Sequence, residues 1–365
     1  MKRQGFIYQK ICEKSNIFRA IRNSSKGKRE RKNVQKIFRK ARYYAQEIQK
    51  MLVNKTFVSS GYQEEKIWDG GNKKERIIYK PRYYPDQVIH WCLMQQIEEI
   101  IKRGMYCYCC ASIPGRGIHY ALQAVKKWLR EDRKHTKYCV KMDIVKFYPS
   151  VDREVLKEQF RRKIKDQDTL WLIDTIIDSH QQGLPIGNYT SQWFSNFYLE
   201  GFDHYVKETL GVKYYVRYMD DFCLFGNNKK KLHQARKKAE QYLNEVLHVR
   251  VKDNWQLFRV DDRGVDFVGY RTFRDYCLLR KSTSLRIARR TRKMRARGKP
   301  VFKDAAAVMS YRGWLKHSNA HNFMRKHLLT VGKTQKLKQI ISAESKKNLD
   351  WVLFTLINIA YFCYY

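Results

Sequence analysis

The sequence predicts an α+β fold. Short β-prone apolar runs cluster in the middle of the chain, stretches with helical apolar spacing lie on both sides, and Tyr218-Met219-Asp220-Asp221 divides two of the runs like a hairpin turn. The 365 residues include 75 Lys+Arg against 35 Asp+Glu, a formal charge of +40. That excess is larger than a small-molecule enzyme requires and points to a polyanionic partner, nucleic acid first. A hydrophobic fraction of 43% and an aromatic fraction of 14% exclude wholesale disorder. The length suggests two or three cores.

Residues 1–55 are basic and helical in pattern. The run from Lys26 to Arg42 puts cations, among them Lys28, Arg29, Arg31 and Lys32, on several faces. Such runs are usually solvated helix, but here the total charge favours phosphate contact. Residues 56–82 read as strands around Gly70-Gly71, and 85–103 as a helix. A glycine-containing loop and another helix lead to an apolar β run ending near Asp143. Helices are expected at 153–164 and 168–179, a turn at 182–187, and one long helix over 190–210. The β runs 213–218 and 222–226 flank Met219-Asp220-Asp221. A charged helix follows over 229–247, then two β runs joined by Asp261-Asp262-Arg263-Gly264. From Ser282 onward the pattern is helical and strongly basic.

The N-terminus has no apolar signal-like stretch, and nine cysteines suit a reducing cytoplasm. The Cys107, Cys109, Cys110 cluster lacks a second pair at zinc-ligand spacing and reads as buried thiols. The apolar stretch Trp351 to Tyr365 is too short for a membrane span and reads as a packed or docking helix, so no membrane partner is expected.

Adjacent carboxylates at a turn repel one another and are costly without a cation. An Asp-Asp turn alone is an ordinary structural feature. Asp143 at the end of another apolar strand, with Tyr148 five residues on, changes that judgement. If the strands are neighbours, three carboxylates converge. Such a set can hold two divalent cations for phosphoryl transfer.

At this point the residues resemble a family. VKMDIVKFYPSVD resembles the first palm motif of reverse transcriptases, and YMDDF resembles their metal-binding hairpin. ERIIYKP and PGRG resemble fingers segments, DFVGY the primer-grip hairpin, and SYRGWLKH at 310–317 the thumb of group II intron and related bacterial enzymes. The match runs from about residue 5 to about residue 330. GLPIGNYTSQWFSNFYL and the N-terminal GFIYQKICEKSNIFRAIRNSSKGKRERKNV resemble reverse transcriptases of diversity-generating retroelements. Where most of the family has Gln-Gly-x-x-x-Ser-Pro, this chain has Ile186 in place of the Gln and Gln192 in place of the Pro. Gln87 stands where Arg is expected, which removes a cation near the fingers.

The resemblance implies a right-hand polymerase fold with an antiparallel palm sheet, fingers and a helical thumb. The implied boundaries are a basic helical extension over 1–55, fingers with part of the palm over 56–136, palm with the catalytic motifs and primer-grip hairpin over 137–280, and basic helical thumb with C-terminal helix over 281–365. It implies Asp143, Asp220 and Asp221, with the backbone of Ile144, as ligands of two Mg2+ ions (Mn2+ as the alternative), and dNTPs as substrates. Tyr148 takes the steric-gate position next to Phe147 and Lys146. Arg76 matches the fingers arginine over the nucleotide, with Lys74 assisting; Gly187 and Gln192 complete that pocket. Lys252 is a candidate general acid toward pyrophosphate, and Phe267, Val268, Gly269 and Tyr270 form the primer grip. Arg286, Arg289, Arg290, Arg292 and Lys293 would track the template–primer backbone by contacts that read no sequence.

Ile186 cannot donate the hydrogen bonds of a Gln, which predicts low fidelity. The resemblance sharpens this to misincorporation opposite template adenines. It also implies a template-repeat RNA with structured flanking RNA, an RNA–DNA template–primer, and an oligomeric accessory variability determinant protein. The competing readings are a retron, group II intron or phage-defence reverse transcriptase, and a non-catalytic RNA-binding scaffold.

Overall fold

The computed structural model describes residues 3–69 and 74–344, and the chain divides into two compact units. The first takes residues 1–124 and 134–258, the second residues 125–133 and 259–365. The apolar segment Trp351 to Tyr365 lies outside the described residues.

The first unit opens with four helices, α1 (Tyr8–Cys12), α2 (Lys14–Ser24), α3 (Lys32–Arg39) and α4 (Ala41–Val53). Each buries one stripe. On α2, Ile17, Ala20 and Ile21 lie at i, i+3 and i+4, with relative exposures of 2% or less. Next come the antiparallel hairpin β1 (Tyr62–Asp69) and β2 (Lys74–Pro81), then helix α5 (Val88–Lys102) and α6 (Ile118–Glu131), whose residues from Val125 on are counted with the second unit. The N-terminal helices pack on α5, and Asp166 accepts bonds from the Ile7 and Tyr8 amides at 2.7 and 2.8 Å. The basic N-terminal segment is therefore part of the first unit's core.

β3 (Tyr138–Asp143) leads into the short α7 (Phe147–Ser150) and then to α8 (Arg153–Lys163) and α9 (Gln167–Asp178). Asp152 and Asp166 cap these last two helices through side-chain bonds to backbone amides. The single helix expected over 190–210 is interrupted. α10 (Tyr189–Tyr198) ends at Leu199, and α11 (Glu200–His204) and a wide turn, Tyr205–Thr209, follow. β4 (Tyr214–Tyr218), β5 (Asp221–Gly226) and α12 (Lys229–Glu245) come next. In β5, the consecutive residues Phe222 to Phe225 are all buried because both faces of the strand are covered, so it reads as a solid apolar run rather than an alternating one.

The two β runs after α12 go to different sheets. β6 (Gln256–Arg259) lies beside β3 in a four-stranded sheet ordered β4-β5-β3-β6. Asp261 to Arg263 belong to a helical turn, α13 (Val260–Arg263). Beyond it, β7 (Val265–Phe267), β8 (Tyr270–Thr272) and β9 (Cys277–Leu279) form a separate antiparallel sheet. The run read as one strand over 265–273 folds back on itself at Val268 (φ 44°) and Gly269 (φ 87°). A Cβ on Gly269 would come within 2.6 Å of the Trp314 ring, so only glycine fits there. The second unit ends, among the described residues, with α14 (Lys281–Ala296), α15 (Phe302–Leu315) and α16 (His321–His327).

Candidate active site

The sheet register brings the acids together. β3 and β5 are antiparallel, and Asp143 is directly opposite Asp221. Met219 takes left-handed backbone (φ 55°) at the hairpin tip, and Ile144 donates its amide to the Asp220 carbonyl at 3.3 Å. Burial, together with the neighbouring Asp143 charge, pushes the Asp220 carboxyl up to about 7. Lys252 donates its amide to the Asp143 carbonyl at 2.8 Å, and its ammonium lies 2.7 Å from Asp143 Oδ1. Lys141 Nζ stands 3.4 Å from Asp221 Oδ2. Among the described residues no three His, Cys, Asp or Glu side chains converge on one point.

The group implied for this site is a divalent metal. Asp143, Asp220 and the carbonyl of Ile144 offer hard oxygen donors, and the Asp220 carboxyl, raised by burial and then by the Asp143 charge, is one that a bound cation would hold ionised. That pair fits one hard divalent cation. Asp221, opposite Asp143 in the sheet register, has Lys141 Nζ 3.4 Å from its Oδ2.

Beyond Asp143 the rest of the same sequence motif continues from the strand end. Lys146, exposed and at φ 42°, starts α7; Phe147 is buried and Tyr148 half-buried. The Tyr148 hydroxyl donates to Met219 Sδ at 3.8 Å, and Ser195 Oγ of α10 donates to the same sulfur at 3.6 Å. The Leu184 amide donates to the Tyr148 carbonyl at 2.8 Å, which seats the turn over residues 182–187 against the start of α7. Ile186 is half-buried, and its carbonyl accepts from the Tyr79 amide of β2 at 2.7 Å. Gly187 (φ 129°) lets the two backbones meet, since a Cβ there would lie 2.4 Å from the Tyr79 carbonyl oxygen. Gln192 is exposed on the first turns of α10, and Arg76 is exposed on β2 opposite Ile67. The side chain of Lys74 lies outside the described residues.

The remaining expected residues lie elsewhere. Phe267 and Tyr270 are buried in the β7–β8 hairpin of the second unit, with Val268 and Gly269 at its turn. Tyr270 stacks on Trp314 and donates its hydroxyl to the Trp314 carbonyl at 2.9 Å. Arg286, Arg289, Arg290, Arg292 and Lys293 are all exposed on α14, while Ile287, Thr291 and Met294 form its buried stripe. Lys28 reaches Gln87 Oε1 at 2.5 Å, so a lysine ammonium sits beside the residue that replaces the expected Arg. Arg29 lies over the Phe38 ring, and Arg31 and Lys32 are exposed.

One functional group escaped the sequence reading. Arg217 is fully buried behind the hairpin. It binds the Asp203 carboxylate through two bonds of 2.7 and 2.6 Å, and its NH1 group donates to the Met219 carbonyl at 3.0 Å and to Asn196 Oδ1 at 3.1 Å. Cys109 Sγ accepts from the same guanidinium at 3.1 Å, and Tyr215 adds a bond to Asp203. The hairpin tip is thereby tied to α10, α11 and the cysteine loop. A lone Arg in an otherwise apolar β run was the available signal. Cys109 and Cys110 are buried thiols as expected, whereas Cys107 is exposed.

The chain is similar to several known proteins. The chain is 28% identical over 207 residues to the retron Ec73 reverse transcriptase of Escherichia coli, a match covering 50% of this chain and 62% of that protein. It is 23% identical over 233 residues to the protein YkfC of Escherichia coli K12, covering 52% and 61%. The chain thus spans less than two thirds of the length of these relatives. Among solved structures, telomerase from Candida albicans in complex with a fragment of telomeric RNA gives a TM-score of 0.49 at 11% identity, covering 81% of this chain and 55% of that one. Apo telomerase from Candida tropicalis gives 0.48 at 13%, covering 83% and 59%. The family model for reverse transcriptase (RNA-dependent DNA polymerase) matches residues 73–272, more than half of the chain and the stretch that holds the carboxylates, Tyr148 and Ile186. The chain therefore belongs to the reverse transcriptase family and has its right-hand polymerase fold.

Proposed function

We propose that this chain is the RNA-directed DNA polymerase of a diversity-generating retroelement, copying a template-repeat RNA into cDNA with errors opposite adenines. The observation that carries the finer reading is Ile186. It is half-buried beside Gly187, its backbone is clasped to β2, and a branched apolar side chain stands where a Gln would offer hydrogen bonds. A lost buried hydrogen bond is worth about 1–3 kcal/mol, enough to blur the discrimination between right and wrong base pairs.

Asp143 and Asp220, with the Ile144 carbonyl and Asp221 as a further ligand, would hold Mg2+ or Mn2+. A bound ion supplies charge neutralisation at the transferring phosphoryl group and activation of the primer hydroxyl. Tyr148 screens the sugar of the incoming dNTP, its hydroxyl steadied by Met219. Arg76, assisted by Lys74 and Lys146, takes the triphosphate; a guanidinium both stacks and binds phosphate. Lys252 pairs with Asp143 at 2.7 Å and, with its remaining N–H groups, is the candidate proton donor to pyrophosphate. The partners of this reading are the template RNA with its structured flanks, an RNA–DNA duplex, and the accessory variability determinant protein.

A second reading, a retron-type enzyme, is favoured by the 28% identity to the Escherichia coli retron enzyme. Primer extension on RNA by the full chain with its RNA, Mg2+ and dNTPs tests the polymerase, with Asp220→Ala as control. Extension lost in the control supports it, and extension that survives overturns it. Sequencing the cDNA separates the readings: errors concentrated at template adenines support the retroelement, and evenly spread errors favour the retron.

A further inference from the structure

The densest run of positive charge outside the carboxylate site carries its own binding surface. Residues 26–42 hold nine Lys or Arg and one Glu. Among the described residues, Arg31, Arg39, Lys40, Arg42 and the nearby Arg82 have no carboxylate partner, and all five are exposed. Like charges crowded without internal counter-ions repel one another, and an external polyanion relieves that repulsion.

Three tyrosines interleave with these cations. Tyr43 and Tyr44 open α4 directly after Arg42, and Tyr84 follows Arg82 in the turn Tyr83–Gln87. Their rings step edge to face, with centroids 5.2 Å apart between Tyr43 and Tyr44 and 4.8 Å apart between Tyr44 and Tyr84. Tyr43, the outermost, is 56% exposed, whereas Tyr44 and Tyr84 are half-buried and fixed. Glu47, on the same helix as Tyr43 and Tyr44, is paired with Lys50 at 3.2 Å. A held aromatic step with an open outer ring, bordered by unpaired cations, is the arrangement that stacks unpaired bases while neutralising their phosphates. A duplex offers no free base face to such a ring.

We propose that Tyr43, Tyr44 and Tyr84, with Arg39, Arg42 and Arg82, form a stacking platform for a single-stranded stretch of nucleic acid. This deepens the polymerase reading by giving the N-terminal charge a ligand of defined form, and it stands on contacts separate from the carboxylate site.

The test is fluorescence anisotropy with the full chain and labelled oligouridine, oligodeoxythymidine and an RNA–DNA duplex. Tyr43 is exposed, so Tyr43→Ala keeps the fold, and the melting temperature checks this. We expect that variant to bind the single strands roughly 5- to 150-fold more weakly, the range set by one lost base stack, and to bind the duplex as the wild type does. Tyr43→Phe should restore single-strand binding. Replacing Arg39, Lys40 and Arg42 together by Ala should lower the slope of log affinity against log salt by about 2 on single strands. Equal losses on duplex and single strand, or a Phe variant as weak as Ala, would overturn the platform. A stronger effect on oligouridine names the strand as RNA, and a stronger effect on oligodeoxythymidine names it as DNA. Because the readout is binding, a platform that passes while primer extension fails removes the polymerase reading and leaves this site standing.

Discussion

The carboxylate end of the palm sheet and helix α14 carry opposite kinds of charge in opposite ways. At the sheet end a few acids are part-buried, set in register by β3 and β5, and backed by the fully buried Arg217–Asp203 pair. On α14 the cations are exposed and repeated along the helix above the buried Ile287, Thr291 and Met294, with Arg290 lying over the Tyr311 ring. The first arrangement is over-determined, so a single change should be severe. The second is redundant, so single changes should be graded. Chemistry needs atoms held to a fraction of an ångström, whereas phosphate tracking needs only local cation density.

The largest expected effect lies at the sheet end. Asp220→Asn should lower primer extension by about a thousandfold, since a metal site supplies several kcal/mol of charge stabilisation and each tenfold in rate is about 1.4 kcal/mol. Steady-state extension assays check this, and a loss of tenfold or less would break the contrast. Next comes Arg217→Met. Leaving the Asp203 carboxylate buried without its partner should cost about 3–5 kcal/mol of stability, read from denaturant melts. Pairing it with Asp203→Leu should restore much of the stability while leaving extension impaired, because the Met219 carbonyl still lacks its donor.

A pH effect sharpens the same region. The Asp220 carboxyl, raised to about 7, keeps a proton that the unfolded chain releases near pH 4. The folded state binds more protons between those values, so this group lowers stability as pH rises from about 4 to about 7. In chelator, the melting temperature should therefore fall over that window, and Asp220→Asn should flatten the fall. Added Mg2+ should recover more above pH 7 than below it. The smallest effect belongs to α14: Arg290→Ala should change the salt slope of duplex binding by about 1 or less and leave the extension rate at saturating template unchanged.

How much of this was legible in the sequence follows from distance along the chain. Asp143, Asp220, Asp221 and Tyr148 announce themselves because each motif sits on a strand end whose pattern is local. The basic face of α14 is likewise written in consecutive residues. Arg217–Asp203, Lys252–Asp143 and Lys28–Gln87 are contacts between residues far apart in the chain, and no local spacing encodes them. The break at Leu199 was hidden by continuous apolar spacing on either side, and it separates α10 from α11, which carries Asp203. The run 254–260 looked like the partner of 265–273 because both are β-prone, yet β6 joins β3 and the second run is a hairpin by itself. Propensity identified strands there and could not assign their neighbours.

The most direct test is sequencing cDNA made on an RNA template by the wild-type chain and by Ile186→Gln, side by side. The account predicts errors concentrated opposite template adenines for the wild type, and a clear drop at those positions for the variant with other errors little changed. An adenine error rate identical in the two proteins would contradict it.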